Sequence, residues 1–465
     1  MIASPTLLPG FAGTELPEWL AARLRDGLGG VCLFAENISS VEQLRALTAA
    51  IREANPRALI AIDEEGGDVS RLHAATGSPF PGNALLGRID DEALTASVGA
   101  AVARELRAVG VNLNFAPDVD INSNPDNPVI GVRSFGAEPG LVARHSAAWV
   151  AAHEAEGVAV SAKHFPGHGD TDADSHHALP VIDLPLEVLC ERELVPFRAA
   201  IEAGARTIMS SHILLPQLDP DRPATFSPRI LQELLRGELG FAGVVVSDAL
   251  DMAGASGEIG IPAAAVRALA GGCDLLCIGT RNTDAQLAEI EAAIEAALVS
   301  GELAEERLAD AVARVTALGD ALPSGPSALP EPYTTDPARL ASAFDVADGT
   351  VLPAEVRIVS LETTANMAVG TVPWGLASVG SAPEPLREGD SLPASDVPYL
   401  VVGKDNHRRA WTRGLIDAAR AAQPGTVVVD MGWPSPDRAY ADIATFGASR
   451  SVSAALRHLL DGGER

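Results

Sequence analysis

The sequence predicts an α/β chain, a (β/α)8 TIM barrel followed by a small α/β sandwich domain, and three observations carry that reading. Short apolar, β-branched segments alternate with longer stretches of helical periodicity, the pattern of parallel βα units. Eight such segments can be counted in the first two thirds, the number that closes a barrel. At 465 residues the chain is also too long for one ordinary domain and long enough for a full barrel plus something smaller.

In order, the predicted barrel strands are Thr6 to Leu8, Gly30 to Phe34, Leu59 to Asp63, Val111 to Ala116, Val158 to Lys163, Thr207 to Ser211, Val244 to Asp248 and Leu275 to Gly279. Between them lie helical stretches rich in Ala, Leu, Arg and Glu, such as Val41 to Glu53 and Asp284 to Leu298. The barrel domain is read as residues 1–320. From 321 to 344 the pattern breaks at Pro323, Pro326, Pro330, Pro332 and Pro337, which marks a linker. Residues 345–465 form the sandwich, with strands at Val356 to Leu361, Tyr399 to Val402 and Thr426 to Met431. Lys404, Asp405 and His407 there read as a solvated loop.

Composition narrows the function. A formal charge of -28 and a pI near 4.6 disfavour nucleic acid and anionic membranes as partners. A small neutral or mildly charged substrate fits better; the sequence leaves the oligomeric state open. No apolar run is long enough to span a bilayer, and the first residues lack a basic region followed by an apolar stretch, so a cytoplasmic protein is expected. Cys32, Cys190, Cys273 and Cys277 show no CxxC spacing and read as buried thiols. Only two of the 34 basic residues are lysines, Lys163 and Lys404. A lysine kept in such a chain does something a planar guanidinium cannot, such as placing a compact charge in a tight pocket.

Barrels of this kind carry their chemistry on the loops after the strands. Here strand three runs into Asp63, Glu64 and Glu65, strand four into Asp118 and Asp120, strand five ends in Lys163 and His164, strand six reaches His212, and strand seven ends in Asp248. The densest segment is KHFPGHGDTDADSHHALP, residues 163–180, which holds four of the ten histidines. Metal ligation is one reading of it, but no helical HExxH pattern and no bridging carboxylate pair is present, and neither metal nor cofactor is expected. The stronger reading pairs Asp174 with His176: a carboxylate on one imidazole nitrogen fixes the tautomer and leaves the other nitrogen to donate and accept a proton. Glycoside cleavage needs such a group on one side of the bond and a carboxylate on the other, which Asp248 can supply.

The segments AIDEEGG, NFAPDVDINSNPDNPVIGVRSFG, KHFPGHGDTDADSH and VVVSDALDM, in this order and spacing, resemble family 3 of the glycoside hydrolases, in its peptidoglycan-recycling β-N-acetylglucosaminidase branch. The resemblance implies a retaining exo-enzyme with a covalent glycosyl intermediate, in which Asp248 is the nucleophile and His176, steered by Asp174, the general acid/base. It further implies that Asp63, Arg133, Lys163 and His164 hold the sugar, supported by Arg71. Small β-linked N-acetylglucosaminides, from cell-wall muropeptides or chito-oligosaccharides, are the implied substrates. Two departures stand out: Glu64 where the family has glutamine and Asp68 where it has arginine; the second domain is also short. A phosphorylase with phosphate as acceptor remains open, because a histidine acid/base turns neutral on donating its proton and does not repel phosphate. A metal-dependent amide hydrolase and a non-catalytic sugar-binding protein are the competing classes.

Overall fold

The computed structural model describes residues 2–171 and 179–463. Asp174 and His176 therefore lie outside the described residues. The chain divides into two compact units. The first comprises Met1–Glu64, Glu92–Ile121 and Glu138–Glu331; the second comprises Glu65–Asp91, Asn122–Ala137 and Pro332–Arg465.

The first unit is the barrel. Its strands are β1 (Leu7–Pro9), β2 (Gly30–Leu33), β3 (Leu59–Ile62), β4 (Leu113–Asn114), β5 (Ala159–Phe165), β6 (Thr207–Ser210), β7 (Val244–Ser247) and β8 (Leu275–Gly279). They pair in parallel in the order β1-β8-β7-β6-β5-β4-β3-β2. At the seam between β1 and β2, the Gly29 N–H donates to Ser4 O at 3.0 Å. Every residue of these strands is buried, which suits runs such as LIAI and VVVS that need cover on both faces. Residues two apart point inward: Leu59 and Ala61, Val244 and Val246, Leu275 and Cys277 share one interior cluster. Val315, Leu318 and Leu322, on or just beyond the helix Glu305–Ala321, join that cluster and extend the core beyond the strands.

All eight predicted strands are present, with shifted ends. β4 is the shortest, because Asn112 replaces part of its ladder with its side chain: Oδ1 accepts from Ile60 N–H (2.7 Å) and Nδ2 donates to Ala58 O (3.2 Å).

The second unit holds a six-stranded sheet. Its strands are β9 (Asp345–Val346), β10 (Arg357–Leu361), β11 (Glu384–Leu386), β12 (Tyr399–Gly403), β13 (Val427–Asp430) and β14 (Ile443–Ala444), in the order β11-β10-β12-β13-β14-β9. Only β9 runs antiparallel to its neighbour. Separate apolar clusters form around the helices Arg450–Leu460 and Ala410–Ala422. Segments 65–91 and 122–137, which leave the barrel after β3 and β4, contribute to this unit: Leu85 packs with Leu340, Ile443 and Val452, and Ala84 with Ala441 and Phe446. Lys404 is not in a solvated loop. Its Nζ lies 3.2 Å from Asp68 Oδ2 and 4.9 Å from the centre of the Trp374 ring.

Candidate active site

The carboxyl ends of β3 to β7 bring the barrel's ionisable groups together. Lys163, near the end of β5, donates from Nζ to Asp63 Oδ1 at 2.8 Å, one residue past β3. The lysine side chain is 3% exposed and the aspartate's 20%, so a dry cation faces a carboxylate that water still reaches. His164, the next residue, belongs to Asp120. Asp120 Oδ2 is 2.7 Å from His164 Nδ1, and the same carboxylate accepts the backbone N–H groups of His164 (3.2 Å) and His168 (2.7 Å). The carboxylate favours the tautomer with Nδ1 protonated and fixes the orientation of the ring.

His168 is fully buried at 5.8 Å ring to ring from His164. Burial, and then the neighbouring His164, depress its pKa to about 4, with Asp120 and Asp248 opposing. The imidazole is thus kept neutral within electrostatic reach of both carboxylates. Asp248 follows β7 directly, and its Oδ1 accepts from the Ala249 N–H at 2.8 Å. His212, beyond β6, places Nε2 3.1 Å from Ala249 O and Nδ1 2.9 Å from Thr225 Oγ1, tying the β6 end to the turn that carries Asp248. Asp251, three residues on, has its pKa raised by burial and by the Asp248 charge, while the Thr280 N–H works against both.

Asp118, Asp120 and His164 can place ligand atoms within 4.8 Å of one another, the group among the described residues that could hold a metal ion. The Asp120 oxygens already accept two backbone N–H groups and an imidazole, the bonding of a structural anchor rather than an open coordination site.

The two arginines singled out from the sequence fall in the second unit. Arg133 forms a fork on Glu65, with Nε to Oε2 at 3.0 Å and Nη2 to Oε1 at 2.7 Å, and Nη1 donates to Val129 O at 3.1 Å. Both side chains are almost fully buried. They line a small cleft with Asp68, Val132, Phe446 and Gly447. Arg71 donates to Ala368 O at 2.8 Å. Asp68, the departure from the family pattern, accepts the Ala448 N–H at 2.7 Å as well as Lys404, so its charge is matched inside its own unit. The other departure, Glu64, exchanges two backbone bonds with the Asn114 side chain at 3.0 and 2.9 Å.

Of the eight predicted site residues, the structure brings Asp63 and Lys163 into direct contact, holds His164, the residue after Lys163, on Asp120, and sets Asp248 within electrostatic reach of His168. Arg71 and Arg133 belong to the other unit. Sequence reasoning missed the partners Glu65 and Asp120. The acidic run DEEGG and the rim position of Asp120 were the available signals, but nothing in either names the basic group it holds.

The chain is similar to proteins of known family. The family described as "Glycosyl hydrolase family 3 N terminal domain" matches residues 13–318. The chain is 38% identical over 344 residues to "Beta-hexosaminidase A" of Pseudoalteromonas piscicida, a match covering 68% of this chain and 58% of that protein. It is 41% identical over 282 residues to a "Beta-hexosaminidase" of Stenotrophomonas maltophilia, covering 58% of this chain and 82% of the other. A solved family 3 β-N-acetylglucosaminidase from Paenibacillus sp. superposes with a TM-score of 0.86 at 31% identity, over all of this chain and 96% of that one.

Proposed function

We propose, from the premise that this chain belongs to glycosyl hydrolase family 3, that it is a retaining exo-β-N-acetylglucosaminidase acting on small β-linked N-acetylglucosaminides. The observation that carries the reading is the barrel rim, where a carboxylate at the end of β7 stands with an Asp63–Lys163 pair and an Asp120-anchored His164. The match to the hexosaminidase A spans little more than half of that relative's length, so its activity comes to this chain as a proposal only.

In the proposed reaction Asp248 attacks the anomeric carbon while protonated His176 donates to the leaving oxygen. Water activated by the now neutral His176 then opens the glycosyl-enzyme with retained configuration. Asp174 orients and charges the imidazole. Lys163 and Asp63 offer one donor and one acceptor to neighbouring sugar hydroxyls, and His164 a further contact; for Arg133 and Arg71 a sugar-binding role rests on the family resemblance. We assign the enzyme to the recycling of cell-wall fragments in the cytoplasm. Its four free thiols suit a reducing compartment, and among the described residues no helix is long and apolar enough to cross a membrane.

The test is a time course on 4-nitrophenyl β-N-acetylglucosaminide and on a muropeptide disaccharide, with and without phosphate and a chelator. Release of β-configured N-acetylglucosamine, indifferent to both additions, is expected. N-acetylglucosamine 1-phosphate as product overturns the hydrolytic reading, and loss of activity on chelation overturns the metal-free one.

A further inference from the structure

The turn that leaves β5 is held by two sets of side chains. Asp120 holds it through His164 and His168. It also meets two residues that no step of the proposed reaction uses, Arg192 and Glu193, which join the helices Leu186–Glu191 and Leu194–Glu202. Arg192 Nε donates to Glu193 Oε1 at 2.6 Å, and its Nη2 donates to Asp170 Oδ2 at 2.7 Å. Its planar fork thus spans two carboxylates on separate segments, which an ammonium cannot do with fixed geometry.

Glu193 is 1% exposed. Its second oxygen, Oε2, is buried with no hydrogen-bond partner among the described residues. It is pressed against Gly167, which has a φ of +125° and whose missing Cβ would lie 2.9 Å from both Cβ and Oε2 of Glu193. Gly167 in turn donates its N–H to His164 O at 2.7 Å, so the carboxylate backs the turn carrying that histidine. Burial pushes the Glu193 pKa up to about 7; Arg192 opposes this, and the charges of Asp120 and Asp170 add to it. A buried carboxylate with one bare oxygen costs stability.

We propose that Arg192 and Glu193 are positioning residues that fix the segment 164–171, the root from which the chain continues to Asp174 and His176, and so set the efficiency of proton donation. The inference rests on the acid/base reading of Asp174 and His176. Arg192 locks Asp170, four residues before Asp174, while Glu193 backs Gly167, so the segment is fixed at two points besides those held by Asp120. Neither residue touches the sugar.

Arg192→Lys and Glu193→Gln test this, each sufficient without the other. Arg192→Lys keeps the charge but not the fork; Glu193→Gln keeps the shape but not the charge. Both are assayed on a disaccharide, whose leaving group needs protonation, and on the 2,4-dinitrophenyl glycoside, whose leaving group does not, with His176→Ala alongside. The disaccharide kcat/KM is expected to fall on the order of 10- to 100-fold, as for a misplacement near 1 Å, while glycosylation by the dinitrophenyl substrate changes less than about threefold. An equal loss on both substrates, or wild-type kinetics in the folded variant, overturns the proposal. Discrimination in His176→Ala but not in these variants overturns the clamp alone; its absence in all three overturns the acid/base reading with it.

Discussion

Lys163 gives the sharpest test of the sugar site, because its surroundings determine what each replacement should cost. Its Nζ sits 2.8 Å from Asp63 Oδ1 in a side chain 3% exposed, so the pocket is fitted to an ammonium. If Lys163 binds the sugar as proposed, Lys163→Met removes a charge-assisted hydrogen bond to substrate, about 1.5 to 3 kcal/mol, or roughly 10- to 150-fold in kcat/KM. Lys163→Arg keeps the charge, yet a longer planar group in a pocket this closed displaces either itself or Asp63, and a loss in the same range is expected. Folding suffers less than for a sealed ion pair. Asp63 is 20% exposed, so water takes over part of the lost partner's role and the cost stays under the roughly 3 to 5 kcal/mol of a fully buried pair. Steady-state kinetics on the nitrophenyl glycoside, with thermal denaturation of the same samples, separates the two effects. Asp63→Asn combined with Lys163→Met should lose less than the sum of the single variants, because each single change already breaks the shared contact. Wild-type kcat/KM in Lys163→Arg refutes the reasoning, and additive losses refute the pairing.

Asp248→Ala is expected to reduce turnover to background while leaving the circular dichroism spectrum and the melting temperature near wild type, because the side chain lies at the rim and outside the interior cluster; residual activity above a few per cent of wild type, roughly the loss of one tenfold step or two, removes it as nucleophile. Lys404→Met leaves Asp68 with the Ala448 N–H but without its cation, and the second unit should lose about 1 to 3 kcal/mol, between the values for exposed and buried pairs; hydrogen exchange in residues 332–465 reads this, and unchanged protection argues against the pair. His153, stacked on Trp149, has its pKa lowered by burial to about 3. It binds fewer protons folded than unfolded, so its stabilisation is complete above the unfolded value near 6.5 and declines as pH falls. The stability gap between wild type and His153→Gln should therefore narrow on acidification from pH 6.5 to 4, by about 1.4 kcal/mol per pH unit in denaturant titrations. Glu154, raised to about 7 by burial, predicts the opposite sign: wild type loses stability relative to Glu154→Gln as pH rises from about 4.5 to 7.

The barrel was legible because its strands are buried on both faces, so that LIAI, VVVS and LLCIG stand out as unbroken apolar runs between amphipathic helices. β9, β11 and β14 did not stand out: each is two or three residues long, too short for any period to repeat. The scarcity of lysine proved an informative signal, since Lys163 and Lys404 both end on carboxylates, Asp63 and Asp68, that lie five residues apart in one segment. Its application to Lys404 failed because the reading looked only at its chain neighbours Asp405 and His407, while the partner is 336 residues away.

The same limit explains the rest of the site. A strand end tells which residues reach the rim, because the fold rule is local: the loop after a parallel strand emerges at the carboxyl face. Which carboxylate holds which cation is not local. Asp120 is 44 residues from His164, Glu65 is 68 from Arg133, and Asp63 is 100 from Lys163. Nor does any apolar residue state which core it will enter. Ala84, Leu85 and Val132 look like ordinary barrel-loop residues, yet they pack with Ala441, Ile443 and Phe446, so segments 65–91 and 122–137 leave the barrel's unit altogether. Arg192 and Glu193 are the extreme case. Nothing in the run Glu191-Arg192-Glu193 names a distant partner, and only the contacts of the buried Glu193 with Gly167 and of Arg192 with Asp170 mark them as more than surface charge.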